Sequence, residues 1–164
     1  MMLLKRAEFK RIYTYILCGI LLTGICAFKK MNDVSYLAQQ TQQKINELYH
    51  SGAEQQKLKK HEIQLTEDGF LRFRKFHVSG KQEYYSFNML RFSGLDYSGS
   101  TTGGTIILRT IEDDVIVQTY NDVKGNIDSM AWQISIAVKE IEPADLQLIQ
   151  DNLLQIRREL QGSN

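Results

Sequence analysis

The sequence predicts an α+β protein: an N-terminal transmembrane helix, then an antiparallel meander sheet of about six strands with a C-terminal amphipathic helix packed on it. Three observations support this fold class. Residues 12–28 form an uncharged apolar run, short alternating segments separated by turn residues fill the middle of the chain, and apolar residues recur at helical spacing near the C-terminus.

Residues 12–28 read IYTYILCGILLTGICAF and contain no charged residue. As an α-helix rising ~1.5 Å per residue, this run would extend over roughly 25 Å, at the short end for a bilayer span. The two membrane interfaces would be occupied by Tyr13 and Tyr15, near the start of the run, and by Lys29 and Lys30, directly after its end. We therefore expect a single-pass transmembrane helix here.

The same basic start and apolar centre would also fit a cleavable signal peptide, and this alternative stays open. A signal-peptidase site needs small residues at two positions before the cut, and Gly24 with Cys26 is the best match. A lipoprotein signal needs a small residue directly before the lipidated cysteine, where Ile25 stands. The poor fit of both patterns favours an uncleaved signal-anchor.

Positive charge on the two sides of the apolar run predicts its orientation. Residues 1–11 contain four Lys+Arg and one Glu, whereas two lysines directly follow the run. Because the more basic flank tends to stay in the cytoplasm, we expect a basic cytoplasmic N-terminus at residues 1–11. The main domain would then be extracytoplasmic, attached to the cell (inner) membrane.

Residues 33–49 (DVSYLAQQTQQKINELY) predict a glutamine-rich helix that Asn32 or Asp33 can cap. Four residues fall on one side of this helix: Leu37, Thr41, Ile45 and Leu48. Such a helix can extend from the membrane as a stalk or pack on the domain. This helix and a linker occupy residues 33–60, and the sheet domain with its C-terminal helix is expected over 61–164.

The middle of the chain alternates between strand-like segments and turns. Strands are expected over 62–66, 70–78, 83–92, 105–111, 115–120 and 129–139. Asp68-Gly69 is a strong hairpin signal, and Glu112-Asp113-Asp114 predicts a further hairpin. We expect a bulge near Arg74-Lys75, where the apolar face of the second strand changes, and a flexible hairpin connection over 93–104 (SGLDYSGSTTGG).

The last expected strand has the most regular alternation in the chain, with five apolar residues on one side: Met130, Trp132, Ile134, Ile136 and Val138. Pro143 then suits the first position of a helix. An apolar stripe follows at 3/4 spacing: Leu146, Ile149, Leu153, Ile156 and Leu160. We expect this stripe to pack on the domain's own sheet. The alternative is a partner helix that contacts Leu146, Ile149, Leu153 and Ile156.

Two known architectures have the same order of elements. A meander closed by a C-terminal helix is similar in outline to the pleckstrin-homology superfold. An apolar N-terminal helix that runs into an antiparallel sheet is similar in outline to type IV pilins, although no Gly-Phe processing site with a following glutamate precedes residues 12–28. Both likenesses concern the fold alone.

Composition argues against several function classes. The net charge of +1 gives no general attraction to nucleic acid. Both cysteines, Cys18 and Cys26, lie in the apolar run, so the domain has no thiolate metal site and no cysteine nucleophile. The three histidines are scattered, and the carboxylates at 112–114 lack the spacing of a calcium loop. We expect no enzymatic activity, no metal and no cofactor.

Four basic residues on the second expected strand and its turn are the candidate contact for an anionic ligand or a partner: Arg72, Arg74, Lys75 and Lys81. Arg72 and Arg74 share one face of the strand, opposite Leu71 and Phe73. With Lys60, their spacing is similar to the basic pattern by which some pleckstrin-homology domains hold phosphoinositides.

This architecture favours a non-enzymatic interaction module. Such a module would be a subunit or accessory factor of an envelope-spanning assembly, such as secretion, pilus or transport machinery. Its partners would be the membrane and other membrane or envelope proteins, and a homo-oligomer is a further expectation. The alternative is a membrane-peripheral lipid- or ligand-sensing domain that uses Arg72 and Arg74.

Overall fold

A computed structural model of the chain describes residues 34–52 and 57–162. The predicted transmembrane helix at 12–28, with the predictions on its processing and orientation, lies outside these residues. Within the described ranges, no helix is long and apolar enough to cross a membrane. The chain divides into two compact units after residue 33, and all the elements below belong to the second unit.

The second unit is α+β, with antiparallel sheets and a C-terminal helix, which confirms the predicted class. Helix α1 covers 34–48, where a helix is expected, and α2 spans Pro143–Gln161. Eight strands lie between the helices: β1 Leu58–Leu65, β2 Phe70–His77, β3 Gln82–Asn88, β4 Phe92–Ser100, β5 Gly103–Thr110, β6 Val115–Tyr120, β7 Asp128–Ala131 and β8 Gln133–Lys139. A short 3-10 turn, Met89–Arg91, separates β3 from β4.

These strands form two sheets, so the prediction of a single meander of about six strands is wrong. The first sheet has five strands in the order β1-β2-β3-β6-β7, and the second has three in the order β4-β5-β8. The chain passes from one sheet to the other after β3, after β5 and after β7. The faces of the two sheets meet in one core, which α1 and α2 complete.

The 3-10 turn divides the segment 83–92, for which the sequence predicts one central strand. Asn88 Oδ1 accepts a hydrogen bond from the Leu90 amide at 2.9 Å and caps the turn. The chain leaves the five-stranded sheet at this point, and Phe92 begins β4 with a fully buried ring. Because apolar residues flank the turn on both sides, the alternation pattern of the sequence does not show this break.

A second break lies at Trp132, inside the expected strand 129–139. The Trp132 carbonyl accepts hydrogen bonds from the amide and the hydroxyl of Thr110, at 3.0 and 3.1 Å, where the chain passes between the sheets. The apolar residues of β8 are buried, whereas Met130 and Trp132 are 54% and 52% exposed. The prediction that all five apolar residues lie on one side of a single strand is therefore wrong.

The segment 93–104, predicted to be a flexible hairpin connection, does lie in a hairpin, but most of its residues belong to the paired strands β4 and β5. Tyr97 lies across this hairpin, and its hydroxyl donates to the Ser100 carbonyl at 2.5 Å. A Cβ at Gly104 would lie 2.6 Å from Cζ of the Tyr97 ring. The glycines in this segment therefore leave room for a ring.

The hairpin expected around residues 112–114 is also absent, because β5 and β6 lie in different sheets. Arg91 holds this connection through two carboxylates. Its Nε lies 2.9 Å from an oxygen of Asp114, and its Nη2 lies 3.1 Å from an oxygen of Glu112. Two of the three adjacent carboxylates thus pair with a cation of the 3-10 turn.

Helix α1 packs on the domain. Of the two roles predicted for it, a stalk or a helix packed on the domain, the structure shows the second. Its buried residues are Val34, Ala38, Thr41, Ile45 and Leu48. Its amide side chains bind the backbone of β1: Asn46 Nδ2 donates to the Ile63 carbonyl at 3.0 Å, and Gln42 Oε1 accepts from the Leu65 amide at 2.9 Å. The residues after α1 likewise bind the free edge of β8. Two sheet edges are therefore covered.

Helix α2 carries the apolar stripe into the same core. Ile149, Leu153 and Ile156 are fully buried, and Leu146 and Leu160 are partly buried. Next to the stripe, Asn152 Nδ2 donates to Gln40 Oε1 at 3.0 Å, and Lys44 Nζ lies 3.1 Å from an oxygen of Asp145. These contacts attach α2 to α1, so the stripe does not present an exposed face to a partner helix.

Candidate functional site

The five-stranded sheet has one face in the core and one face turned outward. Leu71 and Phe73 of β2 point into the core and are 0% and 1% exposed. Arg72 and Arg74 point outward, as the alternation of the sequence predicts. Phe76 follows them on the outward face, where the ammonium group of Lys60 lies 4.4 Å from the centroid of its ring. This cation–π contact covers part of an aromatic ring that lies outside the core.

The bulge expected near Arg74-Lys75 is wrong. Strand β2 pairs with β1 and β3 without a register shift at these two residues, and the irregularity lies instead on β1, between Leu58 and Lys60. The strand therefore alternates regularly from Leu71 through His77. Because the alternation continues, Phe76 shares the outward face with the two arginines.

Strand pairing aligns the outward side chains in three rows across the sheet. The middle row takes one residue from each strand: Glu62, Arg74, Tyr84, Gln118 and Asp128. The flanking rows are Lys60, Phe76, Gln82 and Tyr120 on one side, and Gln64, Arg72, Ser86, Ile116 and Met130 on the other. We call these three rows the open face.

Contacts join the side chains of the middle row. Arg74 Nη1 lies 3.8 Å from Glu62 Oε2, and the guanidinium lies 5.2 Å from the centroid of the Tyr84 ring. Gln118 Nε2 donates to Asp128 Oδ1 at 3.2 Å, and the Tyr120 hydroxyl donates to Gln118 Oε1 at 2.9 Å. Such contacts hold the side chains in place before any ligand arrives, which lowers the entropy cost of binding.

The two arginines differ in how far their charge is compensated. Glu62 Oε1 accepts a hydrogen bond from Lys60 Nζ at 2.7 Å. This bond and the charges of Lys60 and Arg74 lower the pKa of Glu62 against the opposing effect of desolvation, so the carboxylate stays ionised beside Arg74. Among the described residues, Arg72 has no carboxylate within ion-pair distance, and its guanidinium lies 5.6 Å from the Phe70 ring. Arg72 is therefore the less compensated cation.

A shallow pocket of about 360 Å³ lies in the open face. Its lining residues are Arg74, Phe76, Gln82, Glu83, Tyr84, Gln118 and Tyr120. Three aromatic rings from β2, β3 and β6 offer contact to an apolar side chain, while one guanidinium and two amides offer hydrogen bonds. A few polar groups among aromatic rings are typical of a binding site.

Lys75 and Lys81, the other two predicted contact residues, lie away from the open face. Both pair with Glu83, at 3.9 Å from Lys75 Nζ and 3.0 Å from Lys81 Nζ, and Lys81 also lies 3.0 Å from Asp122. Burial raises the pKa of Glu83, but the hydrogen bond from Lys81 and the neighbouring positive charges outweigh it and lower the pKa. The predicted basic cluster therefore divides between the open face and an ion-pair network around Glu83.

Sequence reasoning missed the aromatic half of the open face. Tyr84 and Tyr120 lie on strands that are distant in the chain, and β3 pairs with β6 only because β4 and β5 belong to the other sheet. Alternation in the segments 83–88 and 115–120 showed which residues share a face. It contained no signal for which strands are neighbours.

The chain matches no protein-family model, no curated protein and no solved structure. Within the described residues, no group of three or more His, Cys, Asp or Glu side chains is arranged to hold a metal ion. The geometry and charge of the open face are therefore the basis for assigning it a role.

Proposed function

We propose that this chain is a single-pass membrane-anchored, non-enzymatic interaction module, which binds a segment of a partner protein on its open face. The module would serve as a subunit or accessory factor of an envelope-spanning assembly. Two features support the proposal: the uncharged run at 12–28 suits an anchor, and the open face carries an ordered set of aromatic and arginine side chains.

The composition of the open face is the observation that carries the binding role. Tyrosine and arginine are the residue types that most often contribute strongly to protein–protein binding, because they combine large contact area with hydrogen bonding. Here Tyr84 and Arg74 stack at the centre of a rigid sheet, and Tyr120 is 46% exposed at the pocket rim. A rigid and partly exposed surface of this kind favours binding over catalysis.

Charge indicates what the partner segment contains. Arg72 lacks a carboxylate among the described residues, and the side chain of Arg74 is 42% exposed although Glu62 lies beside it. A carboxylate of the partner could bind both guanidinium groups in their planar geometry. We therefore propose a segment with an acidic residue next to a large apolar residue, the latter entering the pocket between Phe76 and Tyr84.

The ionisation of the carboxylates supports a non-enzymatic role. Glu62 lies beside Arg74 and Glu83 lines the pocket, and the pKa of each is lowered by neighbouring cations. A general acid or base works best when its pKa lies near the operating pH. Carboxylates that stay ionised well below neutral pH are better suited to fixing Arg74 and Lys81 than to transferring protons.

Photo-crosslinking in cells tests this proposal. A photoreactive phenylalanine analogue at Tyr84 should crosslink the full-length chain to a partner protein, whereas the same analogue at Tyr36, 64% exposed on α1, should not. Arg72→Glu combined with Arg74→Glu should remove at least about nine-tenths of the crosslink, because the loss of two charge-assisted contacts costs several kcal/mol. Lys139→Glu, an exposed charge reversal on β8, is the matched control. An undiminished crosslink in the double variant would contradict the proposal.

The second candidate function is the sensing of an anionic lipid or ligand through Arg72 and Arg74, and the uncompensated charge of Arg72 favours it. Topology discriminates the two candidates. We expect a reporter that is active only outside the cytoplasm, fused after Asn164, to be active and a cytoplasmic reporter to be silent. The reverse result would put the domain on the side where phosphoinositides occur and make lipid sensing the better candidate.

A further inference from the structure

Exposed apolar side chains are concentrated in one part of the described chain. Of its nine exposed large hydrophobic residues, seven fall within 111–132: Ile111, Ile116, Tyr120, Val123, Ile127, Met130 and Trp132. This stretch contains β6 and β7, the last two strands of the five-stranded sheet. Apolar side chains gathered at one place on a protein surface commonly mark an interaction site.

The same region contains a free sheet edge. Side chains of α1 bind the edge of β1, and the residues after α1 bind the edge of β8. The edge strand β4 contacts α2 and has an irregular start between Phe92 and Gly94. In the described part of the chain, no strand pairs with the outer edge of β7, and three of its four residues are exposed. Unpaired backbone groups at such an edge are a template for another strand.

We propose that β7 pairs antiparallel with β7 of a second copy of this chain, which joins two five-stranded sheets into one of ten strands. The two copies would be related by a twofold axis, the commonest symmetry of protein dimers. This inference goes beyond the proposed partner binding and does not depend on it.

Side-chain alternation restricts the register of this pairing. Residues opposite each other in a sheet share a face, so an open-face residue of one β7 must lie opposite an open-face residue of the other. Met130 lies opposite Ile116 within each copy. A register with Met130 opposite Met130 of the second copy therefore makes one continuous apolar row, from Ile116 of one copy to Ile116 of the other.

The same register brings a carboxylate of one copy near a cation of the other. Asp128 of each copy would lie opposite Trp132 of the other copy, since the two positions are equally far from Met130. The guanidinium of Arg109 stacks on Trp132, 4.7 Å from the centroid of a ring, and it also pairs with Asp96 of its own copy. Asp128, an exposed carboxylate that accepts a hydrogen bond from the neutral side chain of Gln118, would thus approach this guanidinium of the second copy as its second carboxylate. Together with the continuous apolar row, this contact favours another copy of the chain as the occupant.

The charge of this region disfavours a lipid surface as the occupant. Residues 111–132 contain five Asp+Glu and one Lys. Anionic headgroups attract basic segments and repel acidic ones. Three of these carboxylates already pair with Arg91 or Lys81, so two copies can approach each other without strong repulsion.

Cysteine crosslinking of the full-length chain in detergent tests the register. With Cys18 and Cys26 replaced by alanine, Met130→Cys should form an intermolecular disulfide on oxidation with copper phenanthroline, because opposite Cβ atoms are ~4.5–5.5 Å apart. Ser129→Cys is the matched control: it lies on the other face and opposite Ala131 of the second copy, so it should give at least about fivefold less dimer. More dimer from Ser129→Cys than from Met130→Cys, or none from either, would overturn the proposal.

The mass of the protein in detergent provides the second measurement. The unmodified chain should be a dimer by light scattering, and Met130→Lys should be a monomer because it places two like charges at the twofold axis. Val78→Lys, on a residue that is 70% exposed outside this region, should remain a dimer. A monomeric unmodified chain, or a Met130→Lys variant that stays dimeric through residues 12–28 or any other surface, would overturn the proposal. Crosslinking at Tyr84 tests partner binding separately.

Discussion

Replacing Leu153 with alanine tests whether α2 is part of the core. The Leu153 side chain is fully buried, in one hydrophobic cluster with residues from both sheets. Losing its outer carbon atoms costs ~0.8 kcal/mol for each carbon, and the cavity left behind raises the total to ~2–5 kcal/mol of unfolding free energy. Since a domain is held by only ~5–15 kcal/mol, the melting temperature should fall by roughly 10 °C or the domain should fail to fold.

Thermal unfolding of the full-length chain in detergent, followed by far-ultraviolet circular dichroism, measures this loss. Leu154→Ala is the matched control, because it makes the same chemical change one residue further along α2 at a partly buried side chain. It should lower the melting temperature by clearly less than Leu153→Ala. Equal melting temperatures for the two variants would refute the packing of α2 in the core and would return its apolar stripe to the candidates for a docking surface.

Three further variants test local features of the fold. The pKa of Glu83 is lowered from its ordinary value of 4.5. The ionised carboxylate therefore stabilises the fold above about pH 4.5, and this stabilisation is lost as the pH falls through the folded-state pKa. Denaturant titrations across this range should therefore show Glu83→Gln less stable near neutral pH and less sensitive to acid than the unmodified chain; parallel pH profiles would contradict this. Gly104→Ala would place a Cβ 2.5 Å from a backbone oxygen of β4 and should lower the melting temperature by several degrees, whereas Gly94→Ala meets nothing within 4 Å and should be tolerated. Asn46→Ala leaves the Ile63 carbonyl without its side-chain donor and should cost ~1–2 kcal/mol in urea unfolding; a smaller change would mean that water replaces the amide.

Local features of the sequence are the ones that predict this fold correctly. Helix α2 has Pro143 at its start, Asp145 bonded to the amide of Glu142 at 3.3 Å and a stripe at helical spacing, all of them visible in neighbouring residues. The turn at Asp68-Gly69 is similarly local, and Gly69 has a φ of 79°, a value that favours glycine. Elements defined by residues within one helix or one hairpin could therefore be predicted.

The passages between the sheets could not be predicted, because they depend on contacts between distant residues. Trp132 ends β7 through bonds to Thr110, which belongs to another strand of the other sheet. The candidate site divides in the same way. Alternation within β2 predicted the shared face of Arg72 and Arg74, and it would also have separated Lys75 from them, because Lys75 is the next residue after Arg74 on an unbroken strand.

Edge protection gives a physical reason for the amide-rich composition of α1. A side-chain amide both donates and accepts hydrogen bonds, so Asn46 can bind a carbonyl of β1 while Gln42 binds an amide of the same strand. An ammonium at position 46 or a carboxylate at position 42 could make the same bond only by placing a charge at this partly buried edge. The long edge of β1 is thereby closed to other strands, whereas β7 is four residues long and has Met130 exposed on its open face. Pairing at so short an edge gains little free energy from backbone hydrogen bonds alone. It therefore also requires a strand whose side chains match those of β7. That requirement favours a second copy of β7 over an arbitrary extended chain.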